Sequence, residues 1–191
     1  MKIPTAQPHE AAIPGALARL SSTRFNANAG LICDVAVGIA LLAAGLVTNR
    51  FGFLTAVATL AFGLLVFSAI EYSFHRWLFH HGQSSMREGH DKHHDDPHGF
   101  DALPFFLPPV GMLLLAGLLA LVLPTSTALL LAGATATGYA SYGVAHTIIH
   151  AIRFRSRAAV KWAANHHIHH HHPECNFGVT SPLWDIVLGT R

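Results

Sequence analysis

The sequence predicts an all-α integral membrane protein: a four-helix bundle of two transmembrane hairpins, with a cytoplasmic helical cap that holds a histidine-rich dimetal site. Three observations predict it. Apolar residues make up 51% of the 191 residues and charged residues only 12%, whereas a soluble domain carries about 25% charge. Four apolar runs occur in two pairs, each pair closed by a short turn. Ten of the sixteen histidines fall into four groups that follow or end these runs. The formal net charge is only +2, which offers little to a nucleic-acid partner.

The length is that of one domain. Its expected parts are an N-terminal tail or interfacial helix over 1–30, a first hairpin over 31–74, a histidine segment over 75–104, a second hairpin over 105–145, and a second histidine segment with a C-terminal lip over 146–191. Pro4, Pro8 and Pro14 break up the start, and His9 belongs to that tail. The segment 15–25 is suited to a short interfacial helix. The beginning lacks the basic-then-apolar pattern of a signal peptide.

A membrane span needs about 20 mostly apolar residues. Leu31–Val47 is apolar except for Asp34, and Phe51–Ile70 carries no charge; Thr48, Asn49 and Arg50 separate them. Phe105–Leu123 and Ser126–Ala145 form the second pair, turned by Pro124 and Thr125. Pro108 and Pro109 fall in or just before the first turn of the third span, where proline is tolerated. Gly133, Ala134, Ala136, Gly138, Ala140, Ser141 and Gly143 crowd the fourth span with small residues that let helices approach closely. Asp34, near its span end, is expected to reach the interface. Cys33 and Cys175 make no disulfide framework and read as two unpaired thiols.

Two hairpins return the chain to its starting side, so every histidine group lies on one face. Charge agrees: only Arg50 of the twelve Lys/Arg residues lies in a hairpin tip. The positive-inside rule makes the histidine face, with both termini, cytoplasmic.

His90, His93 and His94 repeat the spacing of His166, His169 and His170, and His146 and His150 are an i, i+4 pair. Residues three and four apart share a helix face. His75 and His80 are five apart, about 140° around an ideal helix. They serve different metals or sit where the helix widens into a π-bulge. Imidazole suits zinc, copper and iron, and ten ligands exceed the need of one ion. His81, His98, His167, His171 and His172 are left without a role. Asp91 either orients an imidazole or is a solvated acid. Glu71, four residues before His75, is expected to hold a ring N–H. No Glu-x-x-His motif of the soluble di-iron bundles occurs.

The segments EYSFHRWLFH, HDKHH, HTIIH and HHIHHHHPECNFGVTSPLWDIVLGT, in that order, resemble the fatty acid hydroxylase and sterol desaturase superfamily, over roughly residues 65–190. HRWLFH and FGVTSPLWD bring the chain nearer to the fatty acid 2-hydroxylase branch. The resemblance implies two iron ions held by His75, His80, His90, His93, His94, His146, His150, His166, His169 and His170 at the cytoplasmic face. Zinc is able to replace the iron during purification. The implied activity is O2-dependent hydroxylation of a lipid C–H bond, in a fatty acyl chain. The alternatives are a desaturase or hydroxylase of a sterol, carotenoid or other lipid, and a non-enzymatic metal-binding membrane protein. A transporter would place its ligands at mid-membrane, whereas these groups cluster at span ends. His167, His170 and His171 also fit the H-x-x-H-H spacing, but the resemblance implies the earlier register, whose distance to Asn176, Phe177 and Gly178 is more similar to that in family members.

An alkyl C–H bond has no useful acidity, so the hard step falls to the metal while the protein positions the chain. The sequence carries no haem, flavin or iron–sulfur signature, so an external reductase with a cytochrome or ferredoxin is the expected electron donor. The lipid substrate is expected to enter from the bilayer, past a lip of Phe177, Trp184, Ile186, Val187 and Leu188.

Overall fold

The computed structural model describes residues 15–191, which form helices and no strand. The tail prolines and His9 lie outside the described residues. Eight α-helices follow in order: α1 (Gly15–Ser21), α2 (Arg24–Thr48), α3 (Phe53–Ser73), α4 (Ser85–Asp95), α5 (Leu107–Ala120), α6 (Thr125–Ala151), α7 (Arg157–His171) and α8 (Leu183–Leu188). A π-helical extension, Phe74–His80, continues α3 without a break.

The helix starts carry their own signals. The Thr23 hydroxyl accepts from the Asn26 amide at the start of α2, and the Ser156 hydroxyl accepts from Ala159 at the start of α7. Segment 15–21 is helical, one of the two states open to the N-terminal segment, but α2 begins well before Leu31. The early start has a polar cause. Asn26 is fully buried; its amide donates to the Leu103 carbonyl (2.9 Å) and its side-chain oxygen accepts from the Phe105 amide (2.8 Å). One side chain thereby ties the head of α2 to the segment that leads into α5.

α6 is the central helix, packed against α2, α3 and α5. Its small residues are what the packing needs. Ala128, Ala132, Ala134 and Ala136 are almost wholly buried. At Gly63 of α3 a Cβ would come within 2.6 Å of the Ala134 Cβ, so only glycine permits that approach. The outer faces are the reverse. Val47, Phe53, Leu54 and Val122 are each 78–86% exposed. So continuous an apolar surface suits lipid, not water.

α2 and the α3–π helix are long and apolar enough to cross a membrane. The second pair differs from the expected spans. α5 is only 14 residues, about 21 Å long, because Pro108 and Pro109 open it and the chain turns at Leu121–Leu123. α6 has 27 residues but fewer strongly apolar ones, since its surface is spent on helix contacts. Asp34 does not reach free solvent with both oxygens: its Oδ1 is enclosed, without a hydrogen-bond partner among the described residues.

Candidate metal centre

The ten histidines meet in two groups of five. His75, His80, His90, His94 and His169 form the first, and His93, His146, His150, His166 and His170 the second; in each, one nitrogen per ring lies within 4.8 Å of all the others. The H-x-x-H-H spacing explains the division. On α4, His90 and His94 turn to the first group and His93 to the second. On α7 the roles reverse: His166 and His170 turn to the second and His169 to the first. An i, i+4 pair thus serves one centre while the residue at i+3 reaches across to its neighbour. The groups adjoin, with the His94 and His170 rings stacked at 4.4 Å.

His75 and His80 both enter the first group, and the π-helix is the reason. Wider turns bring residues five apart onto one face, and the two rings stack at 5.2 Å. Of the two readings of this spacing, the widened helix is the one the fold adopts. In the last triplet His166 and His169 are buried, while His167, His171 and His172 are exposed. His81 and His98 are exposed as well. Asp91 is the solvated acid: it pairs with Arg87 at 3.4 Å on the outer face of α4.

The rings fit a cation. His90 Nε2 lies 3.1 Å from His75 Nε2, 3.0 Å from His80 Nε2 and 3.1 Å from His94 Nε2. One nitrogen carries at most one proton and cannot satisfy three such neighbours. His75 Nδ1–H donates to the Phe177 carbonyl (2.5 Å) and His169 Nδ1–H to the Cys175 carbonyl (2.7 Å). A carbonyl only accepts, so both rings present bare Nε2 lone pairs to the centre. In the second group His166 Nε2 lies 3.0 Å from His150 Nε2 and 3.1 Å from His170 Nε2, and His93 Nε2 lies 3.1 Å from His170 Nε2. With metal–nitrogen bonds of about 2.1 Å, ligands at right angles stand about 3.0 Å apart. The buried His146 Nε2 has no hydrogen-bond partner among the described residues.

Electrostatics favours the same state. Burial pushes His93 down to about 3, His169 to about 4 and His170 to about 2, and carries His90 and His166 far below the ordinary imidazole range. Neighbouring imidazoles add to the effect. All five are therefore neutral at physiological pH, as metal ligation requires.

Two expectations need correction. Glu71 does not touch a ring N–H. Its carboxylate accepts from the Val179 amide (2.8 Å), the Thr180 amide (2.9 Å) and the Thr180 hydroxyl, because His75 is already engaged by the Phe177 carbonyl. Phe177 is not part of a lip. It is fully buried, with its ring 5.5 Å from His169 and 5.8 Å from His80, where it walls the first group. Trp184 leans on α3 and donates its indole N–H to Ser68 Oγ (3.0 Å), while Ile186, Val187 and Leu188 are exposed.

A model of the fatty acid hydroxylase family matches residues 60–190, which is more than half of the chain and takes in every histidine of both groups. The chain belongs to the fatty acid hydroxylase family. It is 31% identical over 146 residues to a dihydroceramide fatty acyl 2-hydroxylase of Arabidopsis thaliana, covering 70% of this chain and 60% of that protein. It is 31% identical over 145 residues to a fatty acid 2-hydroxylase of Macaca fascicularis, covering 67% of this chain and 38% of that protein. The chain therefore spans less than two thirds of the length of these relatives. A solved structure described as full-length scs7p, with only its hydroxylase domain visible, superposes with a TM-score of 0.74 at 26% identity, over 91% of this chain and 69% of that one. Family, apolar helices and histidine groups together make this a membrane protein with a metal site.

Proposed function

We propose that the chain is an O2-dependent di-iron hydroxylase acting on carbon 2 of a fatty acyl chain in a membrane lipid. The observation that carries this reading is the convergence of ten imidazoles into two adjacent five-nitrogen groups, on a chain whose family hydroxylates fatty acids. The names of its relatives, fatty acyl and fatty acid 2-hydroxylases, support the carbon position and the acyl substrate.

In this reading the ten histidines are the ligands, five to each ion, and zinc takes the same sites when iron is scarce. The iron pair supplies reductive activation of O2: two electrons and two protons are consumed, one oxygen atom enters the C–H bond and the other leaves as water. The protein's share is positional. His75 and His169 are held with their Nε2 lone pairs inward by the carbonyls of Phe177 and Cys175. Phe177 and Tyr142 shield the two groups, Tyr142 by stacking 5.6 Å from His146. The neutral state of the rings keeps protons from competing for the lone pairs.

The whole chain acts as one membrane hydroxylase domain. Two hairpins, α2–α3 and α5–α6, cross the bilayer, and α4, α7 and α8 cap them on the cytoplasmic side. Support comes from the lone basic residue in the hairpin tips, Arg50, against eleven on the histidine side. α5 needs its flanking turns to complete a crossing. An external reductase with a cytochrome or ferredoxin delivers the electrons, and the lipid reaches the metals laterally, beside the exposed Ile186, Val187 and Leu188 of α8.

Comparative lipidomics of cells expressing the wild type or His93→Ala tests the reading. The expected result is an added oxygen at carbon 2 of acyl chains, present only with the wild type. A modified sterol or a new double bond would replace the substrate or the reaction. No product, from protein shown to hold its metal and to receive electrons, would end it.

A further inference from the structure

Residues 176–180 form a loop whose amides are held by two carboxylates. Phe177 N–H and Gly178 N–H donate to Asp185 Oδ1 (2.9 Å) and Oδ2 (2.8 Å), and Val179 N–H and Thr180 N–H to Glu71 Oε1. The Asn176 amide donates to the Thr190 carbonyl (2.7 Å). The Phe177 carbonyl faces His75 and the preceding Cys175 carbonyl faces His169, whereas the Val179 carbonyl accepts from the Trp162 indole N–H. Asn176, between Cys175 and Phe177, adopts a left-handed φ of 55°, which asparagine tolerates better than most residues. Two buried carboxylates thus grip four successive amides. Asp185 is 1% and Glu71 7% exposed.

One peptide bond links acid to imidazole. Gly178 N–H and Phe177 C=O belong to the same peptide unit, so Asp185 Oδ2, that peptide and His75 Nδ1–H form an unbroken hydrogen-bonded chain. Hydrogen bonds in series polarise one another. A carboxylate on the amide makes the carbonyl a stronger acceptor, which in turn makes the ring a better donor of its Nε2 lone pair. Metal-bound histidines commonly give their second N–H to a carboxylate directly; here a peptide stands between. His169 has the weaker arrangement, its peptide backed only by the neutral Thr190 carbonyl.

We propose that Asp185 and Glu71 are positioning residues for the first metal site, Asp185 acting on His75 through the 177–178 peptide and Glu71 fixing the loop beside it. The inference rests on the reading of the ten histidines as ligands. Neither acid touches the metal, so neither is a catalytic residue.

The test is metal release from the purified full-length protein to a chelator, read by elemental analysis with time. Wild type and His75→Ala are measured first, to establish two ions per chain and to identify which one belongs to the first group. Asp185→Asn keeps the shape, removes the charge and replaces one accepting oxygen by an NH2 that cannot accept from its amide. It is expected to release the first-group ion about ten to a hundredfold faster while the other ion leaves at the wild-type rate. Glu71→Gln is expected to speed the same ion, by less. Mössbauer spectra of iron-57 protein should show one of two iron signals altered. Equal acceleration of both ions, or of neither, in both variants would overturn the inference and leave the ligand reading intact. A wild type without two tightly held ions would instead overturn the ligand reading. If Asp185→Asn does not yield folded protein, Glu71→Gln alone decides by the same criterion.

Discussion

In the first histidine group two ring N–H groups are anchored on backbone carbonyls, and those peptides are anchored in turn on Asp185 and Thr190. In the second group the outward nitrogens of His166 and His170 are buried, and neither has a hydrogen-bond partner among the described residues. The groups share α4 and α7 and the same ligand type, yet one is held from behind and the other is not. Ligand identity does not set how rigid a site is; the atoms behind the ligands do. The first group is therefore the firmer centre. In the second, His166 and His170 lack such an anchor among the described residues.

Removing a ligand from each group is the sharpest way to break this comparison. His75→Ala and His166→Ala should each lower product formation by more than about a hundredfold, beyond the range for outer residues, because the proposed di-iron reaction needs both ions. They should differ in metal content. In wild type, chelation should proceed in two phases with the second-group ion leaving first. His166→Ala should lose the fast phase and His75→Ala the slow one, as elemental analysis against time would read. A single phase in wild type would mean that the carbonyl anchors add nothing.

Gly178→Ala is the next largest perturbation. A Cβ there would stand 2.1 Å from the Ser181 carbonyl oxygen and 3.0 Å from Asp185 Oδ2. Backbone cannot yield as a side-chain end does, so the loop must move and the Asp185 bridge must open. The cost expected of such overpacking is about 1–3 kcal/mol, about 2–12 °C in thermal midpoint at the usual scaling. Metal loss should fall on the first group alone. If both ions were retained with wild-type kinetics, the loop would be a spectator and the two groups would be equivalent.

Much of this was legible in the sequence. The all-helical class and the first apolar helix pair follow from composition, and the spacing singles out the ten histidines that the fold brings together. The π-helix was one of the two readings open to histidines five positions apart, because that separation does not fit an α-helical face. What escaped was everything carried by backbone. The carbonyls of Cys175 and Phe177 have no sequence signature, since every residue has a carbonyl. Glu71 could be picked out as important by its place before His75, but its partner is a loop more than a hundred positions away. Phe177 looked like a membrane-facing aromatic because hydrophobicity alone does not distinguish a core wall from a lipid contact. The length of α5 was overestimated because leucines continue past Ala120 into the turn that precedes Pro124.

The smallest expected effect concerns Trp184, which sits beside Asp185 on α8 and ties that helix to α3 through Ser68. If this bond steadies the platform behind the first group, Trp184→Phe removes one hydrogen bond, worth about 1 kcal/mol. The ring itself is largely kept. The thermal midpoint should fall by about 2–4 °C, and the slow phase of metal release should quicken by no more than severalfold. The fast phase and the distribution of product chain lengths should stay as in wild type. A changed chain-length distribution with both phases intact would instead place α8 in contact with the lipid. The exposed Ile186, Val187 and Leu188 would then be its contact face, and the asymmetry between the two metal groups would owe nothing to how α8 is docked.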